Sequence, residues 1–305
     1  MSQPRQMGPP EWGLLGLLSL LWGGSFFFSK VALSEWPPLT LVLARVGLAA
    51  AALWLFLRLR GLRIPREPRL WRAFLGMGLL NSLIPFTLIF SGQTVIGSGL
   101  ASILNATTPV FSLLVAHFLA REEALSAGKL AGVALGLAGV AVLLGGPGGG
   151  AAEAPLWGVL ACLGAALSYG LANSYGRRFR RLGVEPAVGA FGQIAATAAM
   201  ALPLALAIDQ PWRLAAPGPA IWGAVLGLAL LSTALAYILF FRLIATAGAT
   251  NTALVTLLIP VSAVLLGVGF LGERLSAGQF GGMGLIGLGL LALDGRLAGR
   301  LRARP

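Results

Sequence analysis

The sequence predicts an all-α integral membrane protein, with ten transmembrane helices arranged as two inverted five-helix repeats. Three observations carry this prediction. Of the 305 residues 57% are hydrophobic and only 10% charged, whereas soluble domains are about a quarter charged. Apolar runs of about 20 residues, the length that crosses hydrocarbon, recur ten times with short turn-rich loops between them. The second five runs also repeat residue patterns of the first five. Mean hydropathy is +0.86, and 43 glycines suit helices that pack closely in lipid.

The first segment, 12–33, contains LWGGSFFFSKVAL, in which Trp22, the pair Gly23 and Gly24, Ser25 and Lys30 interrupt an apolar run. One preceding arginine, a long apolar stretch and no clear small-x-small site make it a first span rather than a signal peptide. Segment 39–57 follows Pro37 and Pro38 and holds Arg45. Segment 71–91 follows a basic stretch from Arg58 to Arg72 and carries Asn81; 98–119 carries Asn105, Thr107 and Pro109, with Glu122 and Glu123 just beyond. Segment 128–146 closes the first half before the loop GGPGGGAAEAP. In the second half, 155–175 holds Cys162, Tyr169 and Asn173, 187–208 holds Gln193, and 220–241 holds Tyr237. Segment 248–271 contains Asn251, Thr256 and Pro260 and leads to Glu273, and 277–294 completes the set.

The repeat is visible residue by residue. GLLNSLIPFTLIF (78–90) aligns with ALLSTALAYILFF (229–241), Pro109 with Pro260, and EALSAGK (123–129) with ERLSAGQ (273–279). Further back, Pro38 pairs with Pro186, Arg45 with Gln193, and Trp22 falls close to Tyr169. The repeats are expected over 12–146 and 155–294. Five is odd, so the second copy enters the membrane inverted, the arrangement that places a site near the midplane between repeats.

Charge distribution sets the orientation. If all ten segments cross, eighteen basic residues fall on the side of the N-terminus, three (Lys30, Arg213 and Arg274) fall opposite, and Arg45 lies within a span. This positive-inside bias puts both termini in the cytoplasm and accounts for the net charge of +12 without any nucleic acid.

Taken together, WGGSFFFSKVAL, PPLTLVLAR, ASILNATTPVFSLLVAHFLAREE and TALVTLLIPVSAVLLGVGFLGERLSAGQ resemble the drug/metabolite transporter superfamily, in its EamA-type ten-helix form. The resemblance spans 12–294. It implies two five-helix repeats, cytoplasmic termini, a central cavity and export or exchange of small metabolites, without naming a substrate.

Polar groups within hydrocarbon are costly unless partnered or facing water, so they mark the bundle interior. The candidates for a solute-binding site are Trp22, Ser25, Asn81, Asn105, Tyr169, Asn173, Tyr237, Asn251 and Thr256, with Gln93, Thr107 and Gln193 as further interior polar groups. Each of them could instead hold helix to helix. Lys30, Arg45, Pro109, Pro260 and Glu273 are gating or structural candidates. The prolines each remove a backbone hydrogen bond, Arg45 is a guanidinium two turns into its span, and Glu273 could meet Lys30 at the outer face. His117 reads as packing.

No cofactor or metal site is expected. One cysteine excludes a disulfide, and no P-loop, zinc motif or catalytic triad is present. No Asp or Glu falls in the middle of a segment, which argues against proton-coupled antiport of cations. The expected protein is a secondary transporter in the cell inner membrane, exporting or exchanging amino acids or similar small metabolites by alternating access. A proton-coupled multidrug efflux pump and a non-transporting scaffold are the alternatives. The expected partners are a small-molecule solute and the lipid bilayer.

Overall fold

The computed structural model describes residues 7–119, 126–145 and 155–294. Glu122, Glu123 and the basic residues at 5, 121 and beyond 294 lie outside the described residues. Among the described residues ten helical segments follow one another: α1 Pro9–Ala32, α2 Pro38–Leu59, α3 Pro68–Gln93, α4 Ser98–Phe118 and α5 Ala127–Gly145, then α6 Leu156–Arg181, α7 Pro186–Asp209, α8 Pro219–Ala247, α9 Val255–Leu271 and α10 Ala277–Asp294. A single turn, Ala249–Thr252, precedes α9. Prolines open α1, α2, α3, α7 and α8, where the missing N–H costs nothing and the fixed φ suits a first turn. Helices α6 and α8 run on past the expected 175 and 241, because their arginine-bearing ends stay helical beyond the apolar stretch.

Among the described residues seven helices are long and apolar enough to cross a membrane, and α5, α9 and α10 contain shorter apolar stretches. Leu20, Leu55, Leu160, Leu265 and Phe270 are exposed on the outside of the bundle, and Trp12, Trp54, Trp157 and Trp222 are exposed towards helix ends. An apolar girdle with aromatic rims is the surface a bilayer requires.

The two halves exchange partners. Helix α1 packs on α8 and α9 of the second half, and α6 packs on α3 and α4 of the first. Helix α2 meets α7 and α8, α7 meets α2 and α3, and α5 meets α10. Each contact has a counterpart with the halves interchanged, so the interior lies between the repeats rather than within either. Small residues permit the closest crossings. A Cβ on Gly23 would lie 2.5 Å from Ser262 Cβ and 2.8 Å from Ala263 N of α9, and Ser19 and Ser262 hydroxyls share a hydrogen bond of 2.6 Å alongside. Gly24 has only ordinary contacts, with Phe28 at 3.6 Å; Gly23 alone is the close-approach glycine of the pair.

Helices α3 and α8 widen into π-helix over Leu79–Leu83 and Gly227–Leu235, positions that the repeat aligns. In α3 the widening precedes Pro85, which has no N–H to continue the α-helical ladder. Hydroxyls reach the carbonyls around these turns: Ser168 donates to Leu80 O at 2.7 Å, Thr197 to Gly78 O at 3.1 Å and Thr233 to Leu228 O at 2.8 Å.

Candidate functional site

The widened turns bring polar side chains together at mid-bundle. Asn81 of α3 donates to Gln193 Oε1 of α7 at 3.0 Å and to the Tyr237 hydroxyl of α8 at 3.1 Å. Arg45 of α2 donates from Nε to Thr233 Oγ1 of α8 at 2.9 Å. Its guanidinium carbon stands 3.7 Å from the centroid of the Phe86 ring and 5.8 Å from that of Phe90, a cation–π seat of the kind that strengthens away from water. Tyr169 of α6 and Tyr237 lie within electrostatic reach of that charge. Arg45 is only 5% exposed, so it does not snorkel to the boundary. Asn81, Tyr169 and Tyr237 are partly buried.

Other sequence candidates fall at varying distances from this cluster. Trp22 reaches it through a relay of rings: its centroid is 5.2 Å from Phe240, Phe240 is 5.4 Å from Phe241, and Phe241 is 6.2 Å from Tyr237. Ser25 accepts at its carbonyl from Ser29, at 2.7 Å. Asn173 is exposed and donates to Ser112 of α4 at 2.9 Å, joining α6 to α4. Asn251 donates to Ala247 O at the end of α8, at 2.9 Å, and Thr256 donates to Ala253 O, at 2.7 Å. Thr256 also lines a separate, mostly apolar cavity of about 270 Å³ between α4, α9 and α10. Asn105 ends the first half of α4, its Oδ1 buried without a hydrogen-bond partner.

The two prolines behave differently. Helix α4 is interrupted at Ala106 and Thr107, and Pro109 sits in the first turn after the break. Pro260 lies inside continuous α9, and the corresponding interruption falls earlier, at Ala253 and Leu254.

Counting the helices as successive crossings, Lys30, Gln93, Ser98 and Glu273 share the face away from the N-terminus. Lys30 Nζ donates to the carbonyls of Gln93, at 2.6 Å, and Ile96, at 2.9 Å, closing the end of α3. Glu273 accepts from the N–H groups of Ser98 and Gly99, at 2.6 and 2.9 Å, closing the start of α4. A cation on a helix C-terminus and an anion on the next N-terminus both complement the helix dipoles. Lys30 and Glu273 thus clamp the two ends of one loop instead of binding each other directly. Gln93 completes the clamp, accepting from Ser29 at 2.6 Å and donating to Phe26 O at 2.9 Å.

The same face is crosslinked twice more. Asp209, ending α7, accepts from Thr40 N and Oγ1 of α2 at 2.6 and 3.0 Å, and Glu35 accepts from Gly218 N at the start of α8 at 3.0 Å. At the opposite face, Glu11 and Glu185 accept from Gly8 N and Val188 N, each at the N-terminus of its own helix. Five of the six acidic side chains that are described are therefore helix caps.

Thr233 and Phe86, the two direct partners of Arg45, escaped the sequence reading. The repeat alignment held a signal for both, since it pairs Ser82 with Thr233 and Phe86 with Tyr237.

Comparisons with known proteins agree with this architecture. The family model of the EamA-like transporter family matches residues 11–145 and 156–293. The chain is 33% identical over 283 residues to the uncharacterized inner membrane transporter YedA of Escherichia coli (strain K12), covering 91% of this chain and 88% of that protein. It is 32% identical over 178 residues to a probable amino-acid metabolite efflux pump of the same strain, over 58% of this chain and 56% of the relative. A solved crystal structure matches with a TM-score of 0.67 and 25% identity, over 95% of this chain and 98% of that one.

Proposed function

The chain belongs to the EamA-like transporter family, and on that premise we propose that it is a secondary transporter exporting or exchanging amino acids or similar small metabolites by alternating access. The observation that carries this reading is the exchange of helix partners between two halves around an interior polar cluster, with the face away from the termini crosslinked among the described residues. In such an arrangement the repeats, taken as 12–146 and 155–294, rock about the cluster. Opening the face away from the termini requires release of Glu273 from α4 and Lys30 from α3. The interruption of α4 before Pro109 supplies a flexing point on the same helix.

The protein resides in the cell inner membrane with both termini cytoplasmic, so the clamped face is the outer one and the described arrangement is closed to the outside. The positive-inside bias and the inner-membrane relative support that orientation. Facilitated diffusion or exchange is favoured over proton coupling, since the described carboxylates lie at helix ends, away from the cluster. The amino-acid class is supported by the uncharged hydrogen-bonding set Asn81, Tyr169, Tyr237 and Gln193 beside one guanidinium, and by the name of the amino-acid metabolite relative.

Purified protein in proteoliposomes should move radiolabelled amino acids or related metabolites down a gradient, with counterflow distinguishing exchange. A broad panel giving no flux, with folding verified by a sharp thermal transition, would overturn the reading. Flux that requires an imposed pH gradient would instead install the proton-coupled alternative.

A further inference from the structure

The guanidinium of Arg45 is the charge at mid-bundle that the fold does not neutralise. It is buried in the interior and anchored at two places, by Nε to Thr233 and by one π-face to Phe86. Among the described residues its two terminal nitrogens have no hydrogen-bond partner and no carboxylate is paired with it. A buried cation without a counterion is expensive, and here it is held in one orientation with its outer donors unspent. Tyr169 and Tyr237 lie within electrostatic reach of it, and the Tyr237 hydroxyl accepts from Asn81 and has the Ser82 hydroxyl beside it. The guanidinium fork and the two hydroxyls are all groups that can donate to negative charge. A guanidinium fork matches a carboxylate with two parallel hydrogen bonds, and a hydroxyl proton supplies a third.

We propose that Arg45 is the anion-recognition group of the transport path, and that the solute it takes carries a carboxylate seated on the terminal nitrogens of Arg45 with Tyr169 and Tyr237 as secondary donors. The proposal rests on the transport reading and narrows its substrate class. Thr233 and Phe86 are positioning residues, since they hold the guanidinium and leave its fork free. Arg45 is buried and Asn81, Tyr169 and Tyr237 are partly buried, so the cluster lies inside the bundle. The inverted half carries Gln193 where this half carries Arg45, and Gln193 is occupied by Asn81. Recognition of charge therefore belongs to one repeat only.

The test uses the purified full chain and two pairs of probes that differ only at the acid group: leucine with leucinamide, and 3-phenylpropanoate with 3-phenylpropanamide. Ligand-dependent thermal stabilisation reports binding to the folded state. The expected result is an apparent Kd at least about tenfold lower for the acid of a pair than for its amide in the wild type. Arg45→Gln should remove that preference, and Arg45→Lys should weaken it without abolishing it, because a point charge lacks the fork. If Arg45→Gln does not fold, the Arg45→Lys protein and the wild-type pairs decide the matter alone. Equal stabilisation by acid and amide, an undiminished preference in Arg45→Lys, or stabilisation by sodium chloride equal to that by the carboxylates would each overturn the proposal. Flux of solutes without carboxylate preference would leave the transport reading standing and remove this one. Carboxylate binding through Arg45 without flux would do the reverse.

Discussion

Replacing Glu273 by Gln tests the clamp at the face away from the termini. The carboxylate holds two backbone N–H groups of α4, at 2.6 and 2.9 Å. A carboxamide of the same shape keeps one oxygen, turns an amide nitrogen toward the second N–H, and loses the charge that complements the helix end. Hydrogen bonds to charged groups contribute about 1.5–3 kcal/mol each, and charge at a helix terminus adds about 0.3–1 kcal/mol. In the opened state water satisfies the freed N–H groups, so the net cost to the closed state is about 1–2 kcal/mol. Since about 1.4 kcal/mol is tenfold in an equilibrium, the open population should rise roughly 5- to 30-fold.

Ser102, one turn into α4 and fully buried, is the reporter. In a Cys162→Ala background, Ser102→Cys is labelled by a membrane-impermeant maleimide only when that end opens. With rapid opening and closing, the labelling rate follows the open population. Glu273→Gln should accelerate labelling by the factor above while Glu273→Asp, which keeps the charge, falls between. A rate within twofold of the parent, in protein that still shows a sharp thermal transition, would refute the clamp.

The remaining expectations follow from the same geometry. Lys30→Met should accelerate Ser102→Cys labelling as well, and the Lys30→Met, Glu273→Gln pair should depart from additivity by about 0.5 kcal/mol or more, because both residues hold one loop. Gly23→Ala should lower thermal stability by about 1–3 kcal/mol, since the new methyl would sit 2.5 Å from Ser262 Cβ; Gly24→Ala should be nearly neutral in the same melting assay. Asn81→Leu strips hydrogen bonds from Gln193 and Tyr237, and should cost about 1–2 kcal/mol in thermal unfolding. It should also reduce solute flux per folded molecule, which a purely structural loss would not.

Much of the architecture was legible because lipid imposes a one-dimensional rule. Spans need length and apolarity, and both can be read locally, so the ten helices follow the hydropathy to within a few residues at most ends. The widened turns at Leu79–Leu83 and Gly227–Leu235 were not legible, since Pro85 marks one while Ala236 stands at the matched position of the other. The polar cluster was legible in membership, through Asn81, Tyr237, Tyr169 and Arg45, but its wiring was not. Thr233 and Arg45 are 188 residues apart, and no periodicity links residues on helices whose rotation about their axes depends on packing. The caps escaped for the same reason: an acidic residue in a loop looks solvated until the helix end it binds is in place. Where the two repeat-matched helices are interrupted was not legible either: α4 breaks just before Pro109, whereas Pro260 lies inside α9 and the break there falls at Ala253 and Leu254.

The three crosslinks at the face away from the termini also carry information about assembly in time. The start of α2 waits for Asp209, 169 residues later in the chain, and the start of α4 waits for Glu273, 175 residues later. During synthesis the first half therefore enters the bilayer with two helix starts uncapped, and it stays provisional until α7 and then α9 arrive. A nascent chain stalled before α9 should expose the α3–α4 loop to protease that the finished protein resists. Duplication has left the second copy acting as the template on which the first one matures.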